Sequence, residues 1–67
     1  MNWTNKTGSW LAWCEGLGLK ELCVEADGDG FILLLIGPGE DEFLGAFATV
    51  DAAKATGEAY AVARGES

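Results

Sequence analysis

The chain has no histidine, one proline, two cysteines and only four basic side chains in 67 residues. Each scarcity closes off a class of function. Without histidine, Cys14, Cys23 and Ser9 lack the usual base that activates a nucleophile. Two cysteines supply at most half of a structural zinc site. Lys6, Lys20, Lys54 and Arg64 are too few to line the basic groove that single-stranded nucleic acids require. No apolar run approaches the ~20 residues that cross a bilayer. Met1-Asn2-Trp3-Thr4-Asn5-Lys6-Thr7 has neither the basic start nor the apolar core of a secretion signal. The expectation is a cytoplasmic protein that is not an enzyme and carries no metal or cofactor. Cys14 and Cys23 are then reduced thiols packed as small apolar groups.

What the chain does have is carboxylate and apolar surface. Eleven acidic residues against four basic ones leave a net charge of −7. A field of that sign repels DNA, RNA and anionic membranes and attracts basic protein surfaces. With 49% hydrophobic residues the chain has material for a core. At this size it forms one domain, residues 1–67, and buries only about 60% of its unfolded surface.

The longest apolar stretch is Phe31-Ile32-Leu33-Leu34-Leu35-Ile36, set between Asp27-Gly28-Asp29-Gly30 and Gly37-Pro38-Gly39. Six uninterrupted apolar residues between turn signals indicate a strand with apolar side chains on both faces. Before it, residues 20–26 alternate, with Leu22, Val24 and Ala26 on one face and Glu21, Cys23 and Glu25 on the other. After it, residues 42–48 predict a third strand, with Phe43, Gly45 and Phe47 on one side and Leu44, Ala46 and Ala48 on the other. Thr49 is placed as a helix N-cap and Asp51 suits the first turn. The helix from Val50 to about Arg64 presents small residues at Ala53, Gly57 and Ala61, which allow a close approach to the sheet. Residues 1–8 suggest an extended arm, and 65–67 a frayed tail. Trp10, Trp13, Cys14 and Leu17 follow the spacing of one helical face, which predicts a short helix over 9–16; the alternative is a strand from Trp10 to Cys14. The fold class is therefore α+β, a three-stranded antiparallel meander in the order α-β-β-β-α, or β-β-β-β-α if the first helix is a strand.

Candidate sites are few. Glu25, Asp27, Asp29 and Gly30 match the first half of a calcium-binding EF-hand loop, but the twelfth position, which needs a bidentate glutamate, is Ile36. Gly28, Gly30, Gly37 and Gly39 lack the Gly-Lys-Ser/Thr of a phosphate loop. The aromatic residues are expected in the core. The acidic side chains remain: Glu21 and Glu25 along one strand face, Asp27 and Asp29 in one turn, Glu40, Asp41 and Glu42 in the next. A strand of six residues at ~3.3 Å each sets the two turns roughly 20 Å apart. Carboxylates spread in this way imitate a short run of nucleic-acid phosphates, and all seven are the expected partner-binding set.

The order α-β-β-β-α resembles that of the double-stranded RNA-binding domain. Thr49-Val50-Asp51-Ala52-Ala53-Lys54 falls where that family opens its second helix with basic residues. Val50 and Asp51 stand in place of the lysine pair that grips phosphates, so the resemblance extends to topology and not to RNA binding. In size, acidity and the acidic turns Glu25 to Asp29 and Glu40 to Glu42, the chain is similar to small phage-encoded inhibitors of the anti-CRISPR type. That likeness implies a partner with a basic surface, for example a nucleic-acid-handling complex. The second expectation is a self-associating structural or accessory module, a homodimer through whichever face of residues 31–36 is left open.

Overall fold

Two antiparallel hairpins and a fifth strand form one sheet, and a single helix lies on one side of it. The computed structural model describes residues 1–65. The elements are β1 (Thr4–Lys6), β2 (Ser9–Ala12), a 3-10 turn (Glu15–Leu17), β3 (Glu21–Asp27), β4 (Gly30–Ile36), β5 (Glu42–Phe47) and α1 (Val50–Ala63). The strands are neighbours in chain order, β1-β2-β3-β4-β5. The meander of β3, β4 and β5 and the C-terminal helix are as the sequence predicts. The tail expected to fray begins with Gly65, whose N–H is hydrogen-bonded to the Val62 carbonyl; Glu66 and Ser67 lie outside the described residues.

The N-terminal helix is not formed, and the alternative strand is. Thr7 and Gly8 adopt φ of 55° and 86°, a turn that closes the Lys6–Ser9 pair and sends β2 back along β1. Positive φ at both central residues matches the right-handed twist of a hairpin, and Gly8 takes it without steric penalty. The supposed arm is thereby an edge strand. The helix-like spacing is a coincidence of core positions. Trp10 reaches the core from β2, whereas Cys14 and Leu17 reach it from the 3-10 turn. Trp13, the remaining member, is 55% exposed. Losing that helix also removes the order shared with the double-stranded RNA-binding domain.

Cross-strand pairs fix which residues share a face. Leu22 pairs with Leu35, Val24 with Leu33 and Ala26 with Phe31, while Ala12 and Trp10 of β2 extend the same face beside Leu22 and Val24. Leu22, Val24 and Leu33 have no solvent exposure. The helix covers this face with the small residues Ala53, Gly57 and Ala61. A Cβ at Gly57 would lie 3.2 Å from the Trp3 ring and 3.3 Å from Leu22 and Leu33, so the helix backbone rests directly on the strands' side chains. Thr49 caps the helix by accepting a hydrogen bond from the Ala52 N–H at 3.1 Å.

The first hairpin is clamped to the helix by its tryptophans. The Lys54 ammonium lies 3.5 Å from the Trp10 ring centroid and 5.9 Å from that of Trp3, and the Trp3 indole N–H donates to Glu58 at 2.9 Å. Trp3 and Trp10 of this segment therefore pack on the helix side of the sheet.

β5 departs from simple alternation. Leu33 pairs with Gly45 but Leu34 with Phe43, a bulge that inserts Leu44 as an extra residue. Phe47, opposite Phe31, stays on the helix face, and Phe43 is turned to the opposite face, against the expectation that they share a side. Replacing Gly57 with valine drives methyl groups into three packed side chains, and a loss of about 1–3 kcal/mol in urea unfolding is expected. Thr49→Ala should cost about 1 kcal/mol by leaving a first-turn N–H uncapped. A Gly57→Val protein as stable as wild type contradicts the close helix approach.

Candidate protein-binding face

Alternation places Cys23 opposite to Leu22 and Val24, and the register carries its row across every strand. Thr4, Leu11, Cys23, Leu34 and Phe43 stand side by side, from β1 to β5. Ile36 lies beside Glu21, and Ile32 lies between Glu25 and Ala46. The helix is on the other side, so this face is an apolar surface open to solvent. Phe43 is 63% exposed, and Leu11, Ile32, Leu34 and Ile36 are half-buried. The sheet offers this surface because residues 31–36 are apolar at every position while one helix can cover only one side.

Acidic residues border the row along the strand direction. Glu21 and Glu25 flank Cys23 on β3, about 13 Å apart at the strand rise of ~3.3 Å per residue. Asp27 follows in the same alternation and Asp29 sits in the adjoining turn, both exposed. Asp41 precedes Phe43 by two residues, and its charge is felt at Cys23 together with those of Glu25 and Glu21. The fold thus brings Glu21, Glu25 and Asp41 around one apolar row. Glu42 is opposite Leu35 and so on the helix side, and Glu40 lies in the loop, where its carbonyl accepts a hydrogen bond from the Lys20 ammonium. Among the cations, Lys54 is held by tryptophans and Arg64 stands over Tyr60 at 5.6 Å. Lys6 alternates onto the open face, at the β1 edge.

At the β1–β3 end the open face deepens into a cavity of about 290 Å³, lined by Asn2, Thr4, Lys6, Leu11, Trp13 and Glu21 along with Ala12. Trp13 is anchored at its rim, with its indole N–H donating to the Gly18 carbonyl at 2.7 Å. Sequence reasoning placed Trp13 and Phe43 in the core. Both are surface aromatics of this face, and the isolated Gly45 in a strand pattern was the available signal for the bulge that turns Phe43 outward.

Cys14 and Cys23 are both buried, and no disulfide joins them. Cys14 belongs to the helix-side core, and Cys23 is in the middle of the opposite face. Among the described residues, no group of three or more histidine, cysteine or carboxylate side chains is placed to share a metal ion. No described helix is long and apolar enough to cross a membrane. Compared with family models, curated proteins and solved structures, the chain matches none.

Burial and the neighbouring Glu25, Glu21 and Asp41 carboxylates push the Cys23 thiol up to about 11 from an ordinary 9.0, assisted by its 3.6 Å hydrogen bond to Glu25. The thiol is therefore neutral at pH 7. Because the folded value is the higher one, its contribution to stability is complete below pH 9 and is lost as pH rises from 9 towards 11. Relative to Cys23→Ala, wild type should lose unfolding free energy across that window, and parallel pH–stability curves would contradict the assigned environment.

Proposed function

We propose that the chain is a non-enzymatic acidic binding protein that occupies a basic surface of a partner protein with the open face of its sheet. The observation that carries this reading is the row Thr4–Leu11–Cys23–Leu34–Phe43 with Glu21 and Asp41 towards one side and Glu25 and Asp27 towards the other. An apolar centre with a charged border is the usual anatomy of a protein interface, where the centre contributes affinity and the border contributes selection and association rate. A net charge of −7 directs that selection to cationic partners. Inhibition of a nucleic-acid-handling complex by a phage-encoded protein is the most concrete form of this reading, since such complexes present basic surfaces shaped for phosphates.

The uncovered face also bears on self-association. A second copy laid on it would set Glu21, Glu25 and Asp41 near their own counterparts, with Lys6 at the edge of each face as the opposing charge. Like charges desolvated together oppose binding, which favours a cationic partner over a homodimer.

The test is capture of partners from a bacterial lysate by wild type, by a Glu21→Gln/Glu25→Gln/Asp41→Asn variant and by Glu15→Gln/Asp51→Asn as a control off the face. The reading predicts a captured protein that is released between about 0.1 and 0.5 M salt, where screening tightens from a Debye length of ~10 Å to less than half of it. That protein is lost from the first variant and retained by the control. Capture that is indifferent to salt and to the three face carboxylates overturns it.

A further inference from the structure

We propose that the cavity at the β1–β3 end of the open face is an anchor subsite for one arginine side chain of the basic partner. The proposal rests on the reading of the face as an interface and adds the chemistry of the cavity within it. The cavity is continuous with the apolar row, because Thr4 and Leu11 belong to both. Its volume of about 290 Å³ accommodates a long side chain but not an element of secondary structure.

Trp13 is the first determinant. A tryptophan that is 55% exposed while its N–H is held by the Gly18 carbonyl keeps a ring available in a fixed orientation. Immobilising the ring in advance lowers the entropic cost of binding to it. Glu21 is the second, a carboxylate in the same cavity. A planar guanidinium stacks on an indole and presents a fork of N–H donors to a carboxylate at the same time, which an ammonium cannot do. Asn2 and Thr4 supply further acceptors on the β1 wall. Lys6 opposes a cation in this place. It is exposed on the short edge strand β1, so its long side chain is free to withdraw into solvent. The acidic field of the face, from Glu21, Glu25 and Asp41, selects the cation over a neutral ligand that would also stack on tryptophan.

The subsite is tested by titrating the isotopically labelled full chain with N-acetyl-arginine methylamide and following its amide and indole resonances. The expected result is a saturable shift centred on the Trp13 indole and the amides of Glu21 and Thr4, with weaker binding of N-acetyl-lysine methylamide. Trp13→Ala should weaken binding about threefold, as for an exposed cation–π contact. Glu21→Gln should weaken it about tenfold, as for a charge-assisted hydrogen bond. Lys6→Gln should tighten it about two- to threefold by removing the opposing charge. An unchanged spectrum away from the cavity verifies that each variant is folded.

Shifts spread evenly over all the acidic residues, arginine binding unaffected by Glu21→Gln, or saturable binding of methyl glucoside at the same resonances overturns the subsite. The outcome is separable from that of the wider reading. Salt-sensitive partner capture that survives Trp13→Ala and Glu21→Gln removes the subsite and leaves the interface. Saturable arginine binding alongside salt-indifferent capture removes the interface and leaves the subsite.

Discussion

A single helix set close against one side of a sheet is the constraint on which the structure depends. Ala53, Gly57 and Ala61 bring the helix backbone down onto Leu22, Val24, Leu33 and Leu35, and a Cβ at Gly57 would press on three packed side chains at 3.2–3.3 Å. That approach satisfies one face of a strand whose residues are apolar on both. Among the described residues no second layer lies on the other face, because the N-terminal segment extends the sheet by two strands and turns Trp3 and Trp10 to the helix side. The open face follows from this allocation of material.

Charge is distributed to match. On the helix side, Lys54 is held between Trp3 and Trp10, and Glu58 accepts from the Trp3 indole, so polar groups there stabilise the docking of the hairpin. On the open side the carboxylates of Glu21, Glu25 and Asp41 surround an apolar row, and burial together with these charges raises the Cys23 thiol. The uncovered apolar surface would make a neutral protein prone to associate with itself. The acidic border opposes association between copies, and the proposed partner is accordingly one of opposite charge.

The parts legible in the sequence were those governed by local periodicity. The alternation around Leu22, Cys23 and Val24, the run at 31–36, the Thr49 cap and the small helix face all predicted their observed roles, because each depends on neighbours within a few residues. The first helix failed as an expectation because Trp10, Cys14 and Leu17 meet in the core through a strand and a 3-10 turn, and a three-dimensional coincidence of that kind imitates helical spacing. The Thr7-Gly8 turn, with a threonine at positive φ, carries little signal of its own. The candidate face was half legible. Glu21 and Glu25 were placed on one side together, yet Phe43 reached it only through a bulge, and Glu42 was diverted to the helix side by the same irregularity. Which side of 31–36 stays open was a choice between two triplets, and packing of the helix decided it for Ile32, Leu34 and Ile36.

The central claim is that the sheet is covered on one side only. It is tested most directly by solution NMR of methyl groups with a neutral gadolinium chelate as a solvent probe. The account predicts strong relaxation enhancement at the methyls of Ile32, Leu34 and Ile36, with little at Leu22, Leu33 and Leu35. Equal protection of both sets would mean that a second copy or another part of the chain covers the open face, and would contradict it.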